Sequence, residues 1–319
     1  MNIFETADYM KYKQGILPSF ENLIYSTYST TAIFKKYIQP ILMGKIDISM
    51  GFDTVYSRIR SKLDGSHNAK KGLFHEERLY LVNQIAKEGK LQSRGNLVDL
   101  GRKKRKYKFI LPLRVRERCI LLCKELYELN DVSREEFNKK LVELFSLIEN
   151  SIGVQEITVT HDIDGLFQYD GKLYLIEAKN NFSTQNFIRC GNFEKFFETW
   201  ACLVYYMVCE VNGRKLHIDS SLKPYFEVTS VSWNTLGLFC LIHKKVGDLK
   251  RRNCMPVVKT LKSGVGGIID AWSFYSWFYG VDFDVLCKVE GAYHHNIDRA
   301  IEKAENYIRD TLKALKLMK

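Results

Sequence analysis

The chain is short of the residues that build unusual proteins. Five prolines and 20 glycines in 319 residues leave no room for a collagen-like repeat or a long low-complexity linker, and no internal repeat is visible. No apolar run approaches the ~20 residues of a membrane-spanning helix. The longest candidates, around Leu203–Val208 and Phe239–Ile242, read as core, and no membrane association is expected. None of the cysteines form a C-x-x-C pair, and His294-His295 sit near no suitable cysteine couple, which argues against a structural zinc site. Several of the eight cysteines lie in apolar stretches, as in Trp200-Ala201-Cys202-Leu203. They read as reduced core residues and fit a reducing compartment. Met1-Asn2-Ile3-Phe4-Glu5 carries an acid and lacks the basic-then-apolar pattern of a secretory signal, so a cytoplasmic protein is expected.

Negative charge is the other shortage. Thirty-seven Asp and Glu face 48 Lys and Arg, a formal net charge of +11 with a sequence pI near 9.1. That surplus favours a polyanionic partner, nucleic acid or anionic lipid, without choosing between them. It is concentrated in Arg102, Lys103, Lys104, Arg105, Lys106 and Lys108, with Arg114, Arg116 and Arg118 close behind. Before this run, Phe74–Lys87 shows apolar residues at helical spacing and Gly89 stops the helix. Asn96–Leu100 and Tyr107–Leu111 flank the run as short strand-like stretches. A helix followed by a hairpin with a basic tip resembles a winged helix, whose wing lies on the phosphate backbone; the plainer reading is a solvated basic loop.

What the sequence does have is a mixed pattern of helices and strands. Pro112 marks an expected boundary between a basic, mostly helical DNA-binding region, 1–112, and a second region, 113–319. Val115–Glu128 and Ser133–Ile148 read as amphipathic helices, and Ser133 with Glu136 forms a capping box. Strand patterns follow at 157–160, 163–168 and 173–178, a helix over Phe193–Cys209, strands at Tyr225–Val231 and Leu236–Ile242, and a charged helix over Ile297–Leu315. The order predicts an α/β (α+β) fold, a mixed sheet flanked by helices. The aromatic run Trp272–Tyr279 reads as buried core or a dimer contact before it reads as a base-stacking platform.

The segment that carries chemistry is His161-Asp162-Ile163-Asp164 … Asp170-Gly171 … Leu175-Ile176-Glu177-Ala178-Lys179. Asp-Gly between two apolar runs is a strong hairpin signal and favours a two-residue turn with positive φ. With those two residues as the loop, Tyr169 faces Lys172, Asp164 faces Glu177, and Asp162 faces Lys179. Alternation along the strands then puts Asp162, Asp164, Glu177 and Lys179 on one face. Two directly opposed carboxylates repel and destabilise a sheet unless a cation compensates. Lys179 supplies part of that, and Mg²⁺, which takes hard oxygen ligands and is commonly held by one or two carboxylates plus substrate phosphate, supplies more. The bland alternative is a cross-strand ion pair between Asp162 and Lys179. His161 reads as structural or exposed.

Asp164 … Glu177-Ala178-Lys179 resembles the active-site motif of the PD-(D/E)xK nuclease superfamily, the restriction-endonuclease-like proteins. The surrounding order of helix, three-stranded meander, helix and strand, from about Ser133 to Ile242, is similar to that family's core. The resemblance implies a metal-dependent endodeoxyribonuclease of restriction or defence type. A junction-, repair- or transposition-type nuclease on the same core is the alternative, and a catalytically idle DNA-binding protein a third. It implies Asp164, Glu177 and the Ala178 carbonyl as metal ligands and Lys179 as the catalytic lysine. It also implies an acid from the preceding helix, Glu143 before Glu149 or Glu136. Asp162 and Gln185 are accessory candidates; Asn180, Asn181 and Arg189 are candidates for phosphate contacts. Mg²⁺ is the implied cofactor, with Mn²⁺ able to substitute, and double-stranded DNA the implied partner, with a homodimer left open. The sequence has Ile163 where the family often places proline.

Overall fold

A computed structural model of the chain describes residue 7 and residues 17–47, 49–65, 94–98, 100, 106–128, 134–179, 192–242 and 266–315. The fold is mixed α/β, as the element order predicts. The chain divides into two compact units, Met1–Leu81 with Val281–Lys319, and Val82–Gly280. This is a different division from the one expected at Pro112, which is the last residue of a strand paired with Glu156.

The first unit is helical in its described part. It contains α1 (Leu17–Tyr28), α2 (Thr30–Ile33), a π-helical turn (Phe34–Ile38), α3 (Gln39–Leu42), α4 (52–65) and α10 (Phe283–Ala314). The long α10 opens on the Asp282 side chain, which accepts from the N–H groups of Asp284 and Val285 and so satisfies two donors of the first turn. Its stripe of Ile297, Ala304, Ile308 and Leu312 is buried, and the helix packs on α1, α2 and the π turn. Arg60–Glu305 at 3.3 Å and Arg309 over the Tyr56 ring tie α10 to α4. The tail helix expected at 297–315 thus begins fourteen residues earlier, at Phe283.

The second unit is built on a five-stranded sheet in the order β1-β4-β5-β6-β7, from β1 (Asn96–Leu97), β4 (Gly165–Tyr169), β5 (Lys172–Lys179), β6 (Leu236–Ile242) and β7 (Gly266–Asp270). The pairs β1–β4 and β4–β5 are antiparallel; β5–β6 and β6–β7 are parallel. β5 lies inside the sheet, antiparallel to β4 and parallel to β6, and reads as a continuous apolar run, of which Tyr174, Leu175 and Ile176 are all buried. Phe167 of β4 meets the aromatic rings of Phe274, Trp277 and Phe278 at 5.5–6.1 Å. Those rings belong to α9 (Ala271–Tyr279), so the aromatic run is core. The remaining helices of the unit are α5 (Leu113–Glu128), α6 (Arg134–Glu149), α7 (Asn192–Val211) and α8 (Lys223–Phe226). From Phe196 to Cys209, α7 buries every residue, polar Glu198 and Thr199 included, and Trp200 Nε1 donates to the Leu236 carbonyl at 2.9 Å, fixing the helix on β6. Four cysteines, Cys119, Cys202, Cys209 and Cys240, are buried thiols, as expected.

A two-stranded antiparallel ribbon, β2 (Tyr107–Pro112) with β3 (Glu156–His161), stands apart from this sheet. It corrects two expectations. The 96–100 and 107–111 stretches both form strand but do not form a hairpin with each other: Leu97 pairs with Phe167, and Phe109 with Val159. The connection between them has no Asn-Gly or Asp-Gly pair to select a tight turn. The three-stranded meander likewise does not close, because β3 is taken by β2. The strand expected at Tyr225–Val231 is the helical turn α8 followed by irregular chain, with Pro224 in its first turn. The expected helix over Phe74–Lys87 lies outside the described residues.

Candidate functional site

The β4–β5 hairpin turns on Asp170 (φ 50°) and Gly171 (φ 73°), the pair of positive angles a type I′ turn requires. Its register is the expected one, from Tyr169↔Lys172 to Gly165↔Ile176. Asp164 lies one residue beyond the last pair, in line with Glu177. In an antiparallel ladder with this register, the even-numbered residues of β5 direct both N–H and C=O toward β4. At Ala178 the ladder has ended, and the N–H donates instead to the Asp164 carboxylate, Oδ2, at 2.9 Å. The Asp164 side chain thus stands in for a strand backbone. The Ala178 carbonyl points to the same side as its N–H, so two carboxylates and one carbonyl share the end of the hairpin. Asp164 and Glu177 are both half-buried.

Lys179 is the last residue of β5 and pairs with Ile242 of β6, which pairs with Asp270 of β7. The three parallel strands therefore end together, at the edge where open α/β sheets bind ligands. Asp270 is 8% exposed. Burial raises its carboxyl above the ordinary range, against bonds from the Trp272 N–H and from Ser273. Asp270 caps α9; its one sequence signal is an acid closing the apolar run Gly266-Gly-Ile-Ile.

The other predicted residues are distributed differently. Asp162 is exposed, between β3 and β4 and outside the ladder. Glu143 of α6 binds Arg118 at 3.0 Å and Lys140 at 3.6 Å, in a network with Glu125 that joins α5 to α6. Glu149 and Glu136 are exposed on the same helix. Arg114 donates to Ser151 Oγ and Arg116 to Glu198, so the three arginines after the basic run are committed to intramolecular partners. Lys106 and Lys108 are exposed at the start of the ribbon. Arg102, Lys103, Lys104, Arg105, Asn180, Asn181, Gln185 and Arg189 lie outside the described residues. His161 is buried rather than exposed.

Among the described residues, no group of three or more His, Cys, Asp or Glu is placed to hold a metal ion. The hairpin end offers two carboxylates and a carbonyl, an all-oxygen set compatible with Mg²⁺, which retains several waters and needs only one or two carboxylates. No described helix is long and apolar enough to cross a membrane. No family model, curated protein or solved structure matches the chain.

Proposed function

We propose that the protein is a Mg²⁺-dependent DNA endonuclease on a restriction-endonuclease-like core, with its cutting centre at the open end of the β4–β5 hairpin. The observation that supports this reading best is the Asp164–Ala178 hydrogen bond. It pins an acid from one strand against Glu177-Ala178 on the next, in the register expected of the motif. Asp164, Glu177 and the Ala178 carbonyl would hold the metal, which polarises a phosphodiester and activates a bound water. The cation supplies what two neighbouring carboxylates lack. Lys179 is the residue we assign to orienting the attacking water and steadying the charge that develops on phosphate. Asp162 and Gln185 remain accessory candidates. Exposed Lys106 and Lys108, with the basic run before them and Arg189, are assigned to the duplex backbone, where lysine acts as a point charge for phosphate. Mn²⁺ should replace Mg²⁺. The Glu143 ion pairs with Arg118 and Lys140 do not favour it as a third ligand.

The test is cleavage of supercoiled plasmid by purified protein, with and without Mg²⁺, beside Lys179→Ala. Nicking or linearisation that requires the metal and disappears in the variant supports the assignment; discrete fragments favour a sequence-selective restriction-type enzyme. If plasmid, branched DNA and RNA all stay intact while duplex DNA is bound, the chain is a DNA-binding protein without this activity.

A further inference from the structure

Glu198, a buried acid, has no part in the reading above. It sits in α7 between Phe197 and Trp200, with a side chain only 4% exposed. Its Oε1 accepts from Arg116 Nε of α5 at 3.0 Å and faces His161 Nε2 at 3.5 Å. His161 is the last residue of β3 and is 8% exposed; its ring lies against Phe109. Its Nε2 makes no hydrogen bond among the described residues, and the Glu198 carboxylate is the acid within ion-pair distance of it. Cys202, beside Glu198 and Cys119, is raised well above the ordinary thiol range, by burial first and then by those two groups. It stays a neutral thiol there.

Such a cluster is a poor way to gain stability. Removing a carboxylate from water costs several kcal/mol, and apolar side chains of similar volume commonly do as well or better. Buried polar groups of this kind are expected where a position must be unique. The position in question lies three residues away. His161 ends β3, Ile163 is buried, and Asp164 is bonded to the Ala178 N–H. Three residues of chain reach at most about 10 Å, so an anchor at His161 limits where the Asp164 carboxylate sits.

We propose that Glu198 and His161, fixed by Arg116, are a positioning pair that sets Asp164 against the end of β5. Glu198 orients the imidazole, the imidazole holds the end of β3, and the short 162–164 link carries that constraint to the hairpin acid. The consequence for metal use rests on the nuclease reading; the positioning itself does not.

The experiment is amide hydrogen exchange on the full-length protein, read at Ala178, whose N–H reports the bond to Asp164 directly. Tyr174, deeper in the same strand, is the control. In His161→Leu, Ala178 should exchange at least tenfold faster while Tyr174 holds. His161→Gln, which keeps a donor in the place of Nε2, should return Ala178 to near the wild-type rate. Glu198→Gln, which preserves shape and removes the charge, is the second variant should His161→Leu not fold, with the same acceleration expected. Unchanged Ala178 exchange in these variants, or acceleration of Ala178 and Tyr174 together, overturns the proposal. In parallel, the Mg²⁺ concentration for half-maximal plasmid cutting should rise about tenfold in His161→Leu with the saturated rate largely kept. An Ala178 response in a protein that cuts nothing leaves the pair standing and removes the nuclease reading. Cutting without an Ala178 response removes the pair alone.

Discussion

At single positions, the second unit shows where the chain has no freedom. A Cβ on Gly237 of β6 would fall inside the van der Waals shell of the Tyr174 ring of β5, 2.2 Å from its Cδ1. Gly237→Ala must push a buried aromatic ring out of the core, at a cost of about 1–3 kcal/mol, read as a lower urea midpoint at unchanged slope. Gly171 is the contrast: a Cβ there meets nothing within 4 Å, but its φ of 73° disfavours any side chain by roughly 1–2 kcal/mol. Gly171→Ala should therefore be the milder change. Asp164 separates structure from chemistry. Its carboxylate accepts the Ala178 backbone N–H, and an asparagine amide oxygen can do the same. Asp164→Asn should hold stability to within about 1 kcal/mol, the worth of one ordinary hydrogen bond. On the nuclease reading it should still abolish plasmid cutting, because a neutral amide is a poor ligand for a hard dication. Loss of stability with cutting retained would reverse both halves of that argument.

Between elements, the α5–α6 contact is organised by charge. Glu125 is bonded by Arg118 and then by Lys140, and these hold its carboxyl down to about 2 from an ordinary 4.5. A depressed carboxyl stabilises the fold above its unfolded value and loses that contribution as pH falls through the folded one. Glu125→Gln should thus be less stable than the wild type at neutral pH, and the gap should close between pH 4.5 and 2. With 37% of the side chain exposed, the gap at neutral pH should stay below about 1 kcal/mol. Thermal denaturation of both proteins across that range measures it; a gap that widens in acid would contradict the assignment. Much at this scale was legible beforehand. The Asp170-Gly171 turn specifies its own register, and amphipathic periodicity located α5 and α6, because both signals are local. What was not legible depends on distant partners. Nothing near Ile157–His161 says that β3 pairs with β2 rather than β4. Nothing near Asn96 names Phe167 and Gln168 as its neighbours. The β7 strand, Gly266–Asp270, is short and glycine-rich, and becomes a strand only because β6 offers it an edge. Glu198 carried a readable signal, an acid inside the apolar run Phe196–Cys202, whose meaning needed Arg116 and His161 to be found beside it.

Across the whole molecule, net charge and available charge are different quantities. The sequence surplus of +11 counts every cation equally, yet Arg116 and Arg118 are held by Glu198, Glu125 and Glu143, and Arg214 by Glu156. Cations already paired with carboxylates release no counterions when a polyanion arrives, whereas exposed Lys106 and Lys108 do. The salt dependence of duplex binding counts phosphates neutralised, about 0.9 in the slope of log K against log salt for each. Binding measured without Mg²⁺ should therefore lose close to 2 from that slope in the double variant Lys106→Ala/Lys108→Ala, with a general loss of affinity across sequences. Arg118→Ala removes the same kind of charge from an ion-pair network; it should lower thermal stability and leave the slope where it was. Equal slopes in the lysine variant and the wild type would place the duplex elsewhere on the surface and detach the ribbon from the proposed cutting centre.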